Sequence, residues 1–348
     1  MSPIAAMAVR TAGGPLEAVT YQPRPLRDDD IRIDVKFAGI CHSDIHTVRE
    51  EWGAAHFPIV PGHEIAGIVS EVGAGVTRYK VGDRVGVGCM VDSCGECEFC
   101  KDGEEQYCTK GSVGTYNATG YDGETTMGGY SQQVVVSERF TLGIPEGVEL
   151  DVAAPLLCAG ITTYSPLRRW GAGPGKKVAV IGMGGLGHMA VKLAAAMGAE
   201  VTVLSRTLGK QEDGKRLGAT RYFATQDEAT FTDNASTFDL IINTVSADLP
   251  MDKYMALLRP LGALVNVGLP TKPYQIAPSS VVGGSRALAG SAIGGIAQTQ
   301  EMLDFCAEHS LGADIELIGA DQVNEAYDRV VNSDVRYRFV IDTATIKA

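Results

Sequence analysis

Positive charge is scarce in this sequence. Its 348 residues carry 30 Lys and Arg against 42 Asp and Glu, a formal net charge of −12. A surface that must neutralise phosphates or anionic headgroups needs the opposite balance, so nucleic acid and membranes are excluded as partners and a small molecule is expected. No apolar run is long enough to cross a bilayer: the most apolar segment, Val178 to Ala190, is short, glycine-rich and followed by Lys192. The segment Met1 to Arg10 lacks a basic stretch ahead of a long apolar core, so no signal peptide is expected and a cytoplasmic location is. Internal repeats and low-complexity segments are absent as well.

A disulfide framework is also missing, although cysteine is not. The eight cysteines stand at 41, 89, 94, 97, 100, 108, 158 and 306, in a chain far larger than a small secreted domain. Four of them crowd into one short segment, which reads as metal binding in a reducing compartment. Cys94, Cys97, Cys100 and Cys108 can close a tetrahedron alone. With no histidine and no open position, such a zinc is structural, fastening a loop with little core of its own. Cys89 and Cys306 lie outside any cluster and read as buried, small apolar residues.

Hydrophobic residues make up 45% of the chain, enough for two cores, and its length predicts two domains. From Ala5 to about Ser137 short strands alternate with glycine turns, and Ile31 to Phe37 and Ile65 to Val72 have period two. Within this half stand Gly39-Ile40-Cys41-His42-Ser43-Asp44-Ile45-His46 and Pro61-Gly62-His63-Glu64. A thiolate and an imidazole are zinc ligands, and corners at Gly39 and Gly62 would let Cys41 and His63 meet. A buried free cysteine and a core histidine are the competing interpretation of the same two residues. Cys158 follows an apolar run from Asp151 to Leu157. It sits where the β-rich half gives way to the next domain and a cleft is expected, so it is the candidate third ligand.

From Lys176 to Gly290 strands and helices alternate, predicting a doubly wound parallel sheet with strands at Lys177 to Ile181, Glu200 to Ser205, Arg221 to Ala224, Phe238 to Thr244, Ala263 to Gly268 and Ala287 to Gly290. Its first turn, Gly182-Met183-Gly184-Gly185-Leu186-Gly187, follows a buried strand and opens a helix, the setting in which glycines and a helix N-terminus receive a pyrophosphate. At the end of the second strand an NAD site would usually place an acid. Here stand Ser205, Arg206, Thr207 and Lys210, donors suited to a 2′-phosphate, so NADP(H) is the expected cofactor. A helix is expected from about Ala297 to His309, and the strand Val335 to Asp342 is expected to rejoin the first domain.

Together these motifs resemble the zinc-containing medium-chain alcohol dehydrogenases, in particular the cinnamyl alcohol dehydrogenase branch and its bacterial NADP-dependent aldehyde reductase relatives. The resemblance rests on residues 39–46, 60–64, the four-cysteine lobe, Cys158, 182–188 and 334–340. It implies an α/β fold: a β-rich GroES-like catalytic domain over 1–157, a Rossmann NADP-binding domain over 158–293, and a return to the catalytic domain over 294–348. It further implies two zinc ions per chain. Cys41, His63 and Cys158 would hold the catalytic one, with Glu64 as an occasional fourth ligand. Ser43 and His46 would relay the alcohol proton, and Asp44 would orient His63. The implied activity is reversible hydride transfer between NADP(H) and primary alcohols or aldehydes, and the implied assembly a homodimer. Trp52 and Ala292 are expected at the substrate pocket, and small residues at Val113 to Thr115 suggest a roomy one. Two other functions compete: a biosynthetic iminium or enal reductase, and a non-catalytic dinucleotide-binding protein.

Overall fold

The computed structural model describes residues 3–270 and 272–347. They form two compact units, one of residues 3–158 with 294–347 and the other of residues 159–270 with 272–293.

The first unit is built on a seven-stranded sheet ordered Ile315–Ile318, Arg338–Asp342, Asp30–Gly39, Ile65–Val72, Arg84–Val87, Leu142–Gly143, with Gln133–Ser137 also pairing Asp30–Gly39. The long strand Asp30–Gly39 organises it: one end pairs antiparallel with Gln133–Ser137 and the other with Arg338–Asp342. The C-terminal strand thus rejoins this unit, starting at Arg338. The period-two pattern in Ile31 to Phe37 predicts one buried face, yet Asp30, Ile31, Arg32 and Ile33 are all buried. Helical turns at Leu150–Ala153 and Ala154–Leu157 pack on this strand, which covers its second face. At its far end Gly39 is obligatory, because a Cβ there would overlap the Glu64 carboxylate. The main core beside it joins Ile40, Ile45, Val48, Val323, Phe339 and Ile341.

The second unit carries a six-stranded parallel sheet, ordered Arg221–Ala224, Glu200–Ser205, Lys177–Ile181, Phe238–Asn243, Leu258–Asn266, Ala287–Gly290. Numbered along the chain this is 3-2-1-4-5-6, the Rossmann order, whose ligand crevice opens at the carboxyl ends where the order reverses. Residues 178–181 and 240–242 are buried as continuous apolar runs, as central parallel strands require. The fifth strand begins five residues before the predicted Ala263. Leu261, between Pro260 and Gly262, takes φ 66°, and the chain absorbs this stretch as an irregularity while still pairing Phe238 with Leu258. The expected C-terminal helix spans Ile296–Glu308 and belongs to the first unit.

Candidate metal centre and dinucleotide site

Three separate segments bring the first cluster together. Cys41 lies just past strand Asp30–Gly39, as the residue before helix His42–Val48. Three positions later Asp44 turns back, and its Oδ2 accepts from the Cys41 N–H at 2.9 Å, closing the helix start. His63 follows Gly62, whose φ of 104° makes the corner that an L side chain would resist. Cys158 ends the turn Ala154–Leu157 and belongs with the first unit, where its partners are.

The donor atoms of Cys41, His63, Glu64 and Cys158 all lie within 4.8 Å of one another, and all four residues are buried. Cys41 Sγ stands 3.9 Å from Cys158 Sγ, and His63 Nε2 3.3 Å from the same sulfur. A tetrahedral zinc with Zn–S near 2.3 Å and Zn–N near 2.0 Å requires about 3.8 Å between sulfurs and about 3.5 Å between nitrogen and sulfur. The donor set therefore fits zinc in chemistry and spacing. The Cys41 thiol is drawn well below its ordinary value, first by the hydrogen bond from Cys158, against the effect of burial, and then by Arg338 and His63. Cys158, the other member of that bond, is pushed well up. His63 Nδ1 donates to Asp44 Oδ1 at 3.0 Å, which leaves Nε2 facing the cluster.

The motifs do not reveal several residues around this cluster. Arg338 donates to Glu64 Oε1, pairing two charges that are both buried, while Glu64 Oε2 has no partner among the described residues. Tyr116 stacks on His63 with centroids 5.8 Å apart, and Tyr130 OH reaches Asp44 Oδ2 at 3.2 Å. Cys89, read as a small apolar residue outside any cluster, is half-buried with its Sγ 3.9 Å from the Leu157 carbonyl, next in sequence to Cys158. Cys306 is wholly buried beside Met302, as expected of apolar packing.

Ser43 Oγ lies 3.5 Å from Cys41 Sγ. His46 is three residues further along the same helix, on the same face. It meets the Glu51 carboxylate through Nδ1, and Trp52 stacks over it at 4.6 Å while remaining half exposed. Ala292 is an exposed residue of the second unit. Val113 and Thr115 line a cavity of about 330 Å³ with Tyr21, Arg27 and Asp122. The neighbouring Tyr116 is what meets His63, so that stretch presents an aromatic ring to the cluster.

The second cluster is local. Cys94, Cys97, Cys100 and Cys108 also lie within 4.8 Å of one another, with Sγ separations of 3.9 Å between Cys94 and Cys100 and 3.4 Å between Cys97 and Cys100. The N–H groups of Glu96 and Cys97 point at Cys94 Sγ, and that of Cys94 at Cys108 Sγ. Such donors offset thiolate charge. Cys97 is held down at about 6, first by backbone hydrogen bonds from Thr109 and Cys100.

In the second unit the glycine turn leads from strand Lys177–Ile181 into helix Gly185–Ala196. Gly182 has φ 93°, and a Cβ there would strike Thr244 and Val245. At Gly187 a Cβ would collide with the Gly182 carbonyl, whereas Gly184 faces open space. Gly185 and Leu186 open the helix, so unpaired N–H groups face a turn that a pyrophosphate can approach closely. Beyond strand Glu200–Ser205, Arg206 and Thr207 are exposed, and Thr207 Oγ1 caps the next turn through the Gly209 N–H. Lys210 Nζ donates to the Met183 carbonyl at 3.1 Å, tying this basic turn to the glycine turn. The residues therefore fit a dinucleotide with a charged group beyond its ribose.

A parallel sheet in Rossmann order with a glycine turn, together with two zinc-competent clusters, defines a metal-binding, dinucleotide-linked dehydrogenase. Residues 27–146 match the alcohol dehydrogenase GroES-like domain family and 185–308 the zinc-binding dehydrogenase family. An NADP-dependent alcohol dehydrogenase C of Mycolicibacterium smegmatis is 61% identical over 349 residues, covering 100% of both chains. Among solved structures, a cinnamyl alcohol dehydrogenase of Sorghum bicolor superposes with a TM-score of 0.96 at 46% identity, and a CAD from Helicobacter pylori complexed with NADP(H) with 0.93 at 39%; each pair is covered over 99% of both chains. The chain belongs to the zinc-binding alcohol dehydrogenase family and is an oxidoreductase.

Proposed function

We propose that the enzyme transfers hydride reversibly between NADP(H) and primary alcohols or aldehydes, both aromatic and aliphatic, with residues 1–157 and 294–348 as the catalytic domain and 158–293 as the NADP-binding domain. The observation that carries the reading is the buried Cys41, His63 and Cys158 cluster, three donors at zinc spacing, with Ser43 beside it. When bound there, zinc supplies the Lewis acidity that polarises a carbonyl oxygen, and NADPH supplies the hydride.

The chain's own residues do the rest. Asp44 holds the tautomer and orientation of His63. Arg338 holds Glu64 Oε1, so the carboxylate stands next to the cluster without taking it over. Ser43 moves the proton of the substrate hydroxyl, and His46, hydrogen-bonded to Glu51 near the surface, passes it to solvent. Trp52, stacked over His46, forms part of the substrate pocket. Cys94, Cys97, Cys100 and Cys108 hold a second, structural zinc. Gly182, Gly184, Gly185, Leu186 and Gly187 receive the pyrophosphate, while Ser205, Arg206, Thr207 and Lys210 select the 2′-phosphate. The names of the Mycolicibacterium and Helicobacter proteins support the cofactor assignment. An intact relay favours carbonyl reduction over iminium or enal reduction, and an intact donor set argues against a non-catalytic binder.

The decisive test is benzaldehyde reduction by NADPH, before and after metal removal. Turnover that needs both supports the reading; turnover that survives complete removal of zinc overturns it. A homodimer is proposed through the second unit, where Ala287–Gly290 is an edge strand beside exposed Leu261, Val282 and Leu288. No helix among the described residues is long and apolar enough to cross a membrane. A cytoplasmic location is proposed from the two thiol clusters, which a reducing compartment preserves.

A further inference from the structure

Asp44 is a fully buried carboxylate that accepts four hydrogen bonds, two on each oxygen. Oδ1 takes His63 Nδ1 at 3.0 Å and the Gly62 N–H at 3.2 Å; Oδ2 takes the Cys41 N–H at 2.9 Å and Tyr130 OH at 3.2 Å. Three of these donors belong to the two segments that carry Cys41 and His63. The fourth comes from far along the chain. Tyr130 is 0% exposed, and its hydroxyl donates to Oδ2.

The backbone around Tyr130 repeats the pattern. Gly128 N–H donates to Val60 O at 2.8 Å, Gly129 N–H to Gly62 O at 2.9 Å and Tyr130 N–H to Pro61 O at 3.0 Å, so this segment runs along the corner that aims His63. The contact is close enough that both sides need glycine. A Cβ at Gly128 would overlap the Pro61 and Gly62 carbonyls, and one at Gly62 would enter the Tyr130 ring. Gly62 also needs its φ of 104°. The ring therefore fixes the corner from below while the hydroxyl fixes the carboxylate to which His63 is tied.

We propose that Tyr130 is a positioning residue for the metal ligand His63, acting through Asp44, so that its hydroxyl governs how firmly the catalytic metal is retained. The proposal rests on the reading that Cys41, His63 and Cys158 hold zinc. Losing the hydroxyl removes one donor from Oδ2, and the carboxylate can then rotate and carry His63 Nε2 off the line to the cluster. Partners one step removed from the metal typically control its affinity by about 10–100-fold.

The test compares zinc-loaded holoenzyme with Tyr130→Phe and Val323→Ala. Val323 is the control: it is buried in the same core as Tyr130 and carries no polar group, so its truncation loosens the packing without removing a hydrogen bond. Release of zinc to a colorimetric chelator is followed together with the thermal midpoint. Tyr130→Phe should release one zinc per chain about tenfold faster or more, leave the other at the wild-type rate, and lower kcat more than it raises KM. Val323→Ala should lower the midpoint and leave both rates unchanged. Wild-type release of both zincs from Tyr130→Phe overturns the proposal, and so does equal acceleration in Val323→Ala, which would mean general loosening of the core. The underlying reading fails separately: wild-type protein with one zinc per chain, undiminished in Cys41→Ser, would remove the catalytic zinc site itself.

Discussion

The Glu64 and Arg338 pair allows the sharpest energetic prediction. The two residues stand 274 positions apart in sequence, and their side chains are 0% and 6% exposed. Both charges have given up their water, and Arg338 makes its ion pair with Glu64 alone among the described residues. Arg338→Met keeps most of the side-chain volume but strands the carboxylate in a low-dielectric interior, a loss of about 3–5 kcal/mol. For a folded unit of this size each kcal/mol shifts the midpoint by about 2–4 °C, so the transition of the first unit should fall by roughly 6–20 °C. Glu64→Gln should cost a similar amount by stranding the guanidinium.

The double variant decides the matter. With neither charge present no buried charge is left unpaired, so Glu64→Gln with Arg338→Met should be less destabilised than the sum of the single changes by about 2–3 kcal/mol, a coupling typical of residues in one network. Activity should follow the same logic. Once Arg338 no longer holds Oε1, the carboxylate can swing into the cluster and compete with substrate, so Arg338→Met should lose about tenfold in kcat and the double variant should recover it. Scanning calorimetry on the four zinc-loaded proteins, with kcat from NADPH absorbance, measures both. Strictly additive midpoints would refute the shared energy, and a kcat equally low in Arg338→Met and the double variant would refute the restraint on Glu64.

Three further outcomes are expected. Cys97→Ser should reduce bound zinc from about two to about one per chain and lower stability by several kcal/mol, because the lobe Cys94 to Cys108 has almost no buried side chains of its own; elemental analysis and calorimetry check this, and full stability with one zinc would mean that the lobe folds without metal. His46→Ala should slow turnover at neutral pH by about tenfold while zinc content and NADPH affinity hold, since water replaces a distant proton carrier only in part; an unchanged pH-rate profile would remove His46 and Glu51 from the proton path. Wild type should prefer NADPH over NADH by about tenfold or more in kcat/KM, Arg206→Ala should erase much of that by weakening NADPH alone, and Ser205→Asp should invert it; equal ratios in wild type and Arg206→Ala would place the phosphate elsewhere.

What could be read from the sequence was whatever chemistry confines to a short span. Four thiols within one short segment have few uses, and their N–H···S contacts are made within that segment. The glycine turn sits between an apolar strand and a helix start, so its meaning is local as well, and four of the six strands of the second unit have the predicted ends. The failures have the opposite character. Periodicity over Ile31 to Phe37 could not show that Leu150 to Leu157 would cover the second face. The small residues Val113 to Thr115 gave no sign that the next residue, Tyr116, would meet His63. Nothing in the tail segment Asp334 to Val340 says that Arg338 must neutralise Glu64, and nothing in Gly128-Gly129-Tyr130 says that it braces His63.

Asp44 shows why such partners stay hidden. Three residues after Cys41 and near a helix start, it reads equally well as an ordinary first-turn acid, and the resemblance assigned it only to His63. The fold brings it donors from positions 41, 62, 63 and 130, so one carboxylate joins four sites that share no sequence pattern. A buried charge has to be satisfied completely or it destabilises the site it occupies, and each donor is therefore a separate constraint on where Cys41 and His63 can stand. Ligand identity is written in residue types at short range. Ligand geometry, and with it the retention of the metal, is set by hydrogen bonds whose partners only the folded chain brings together.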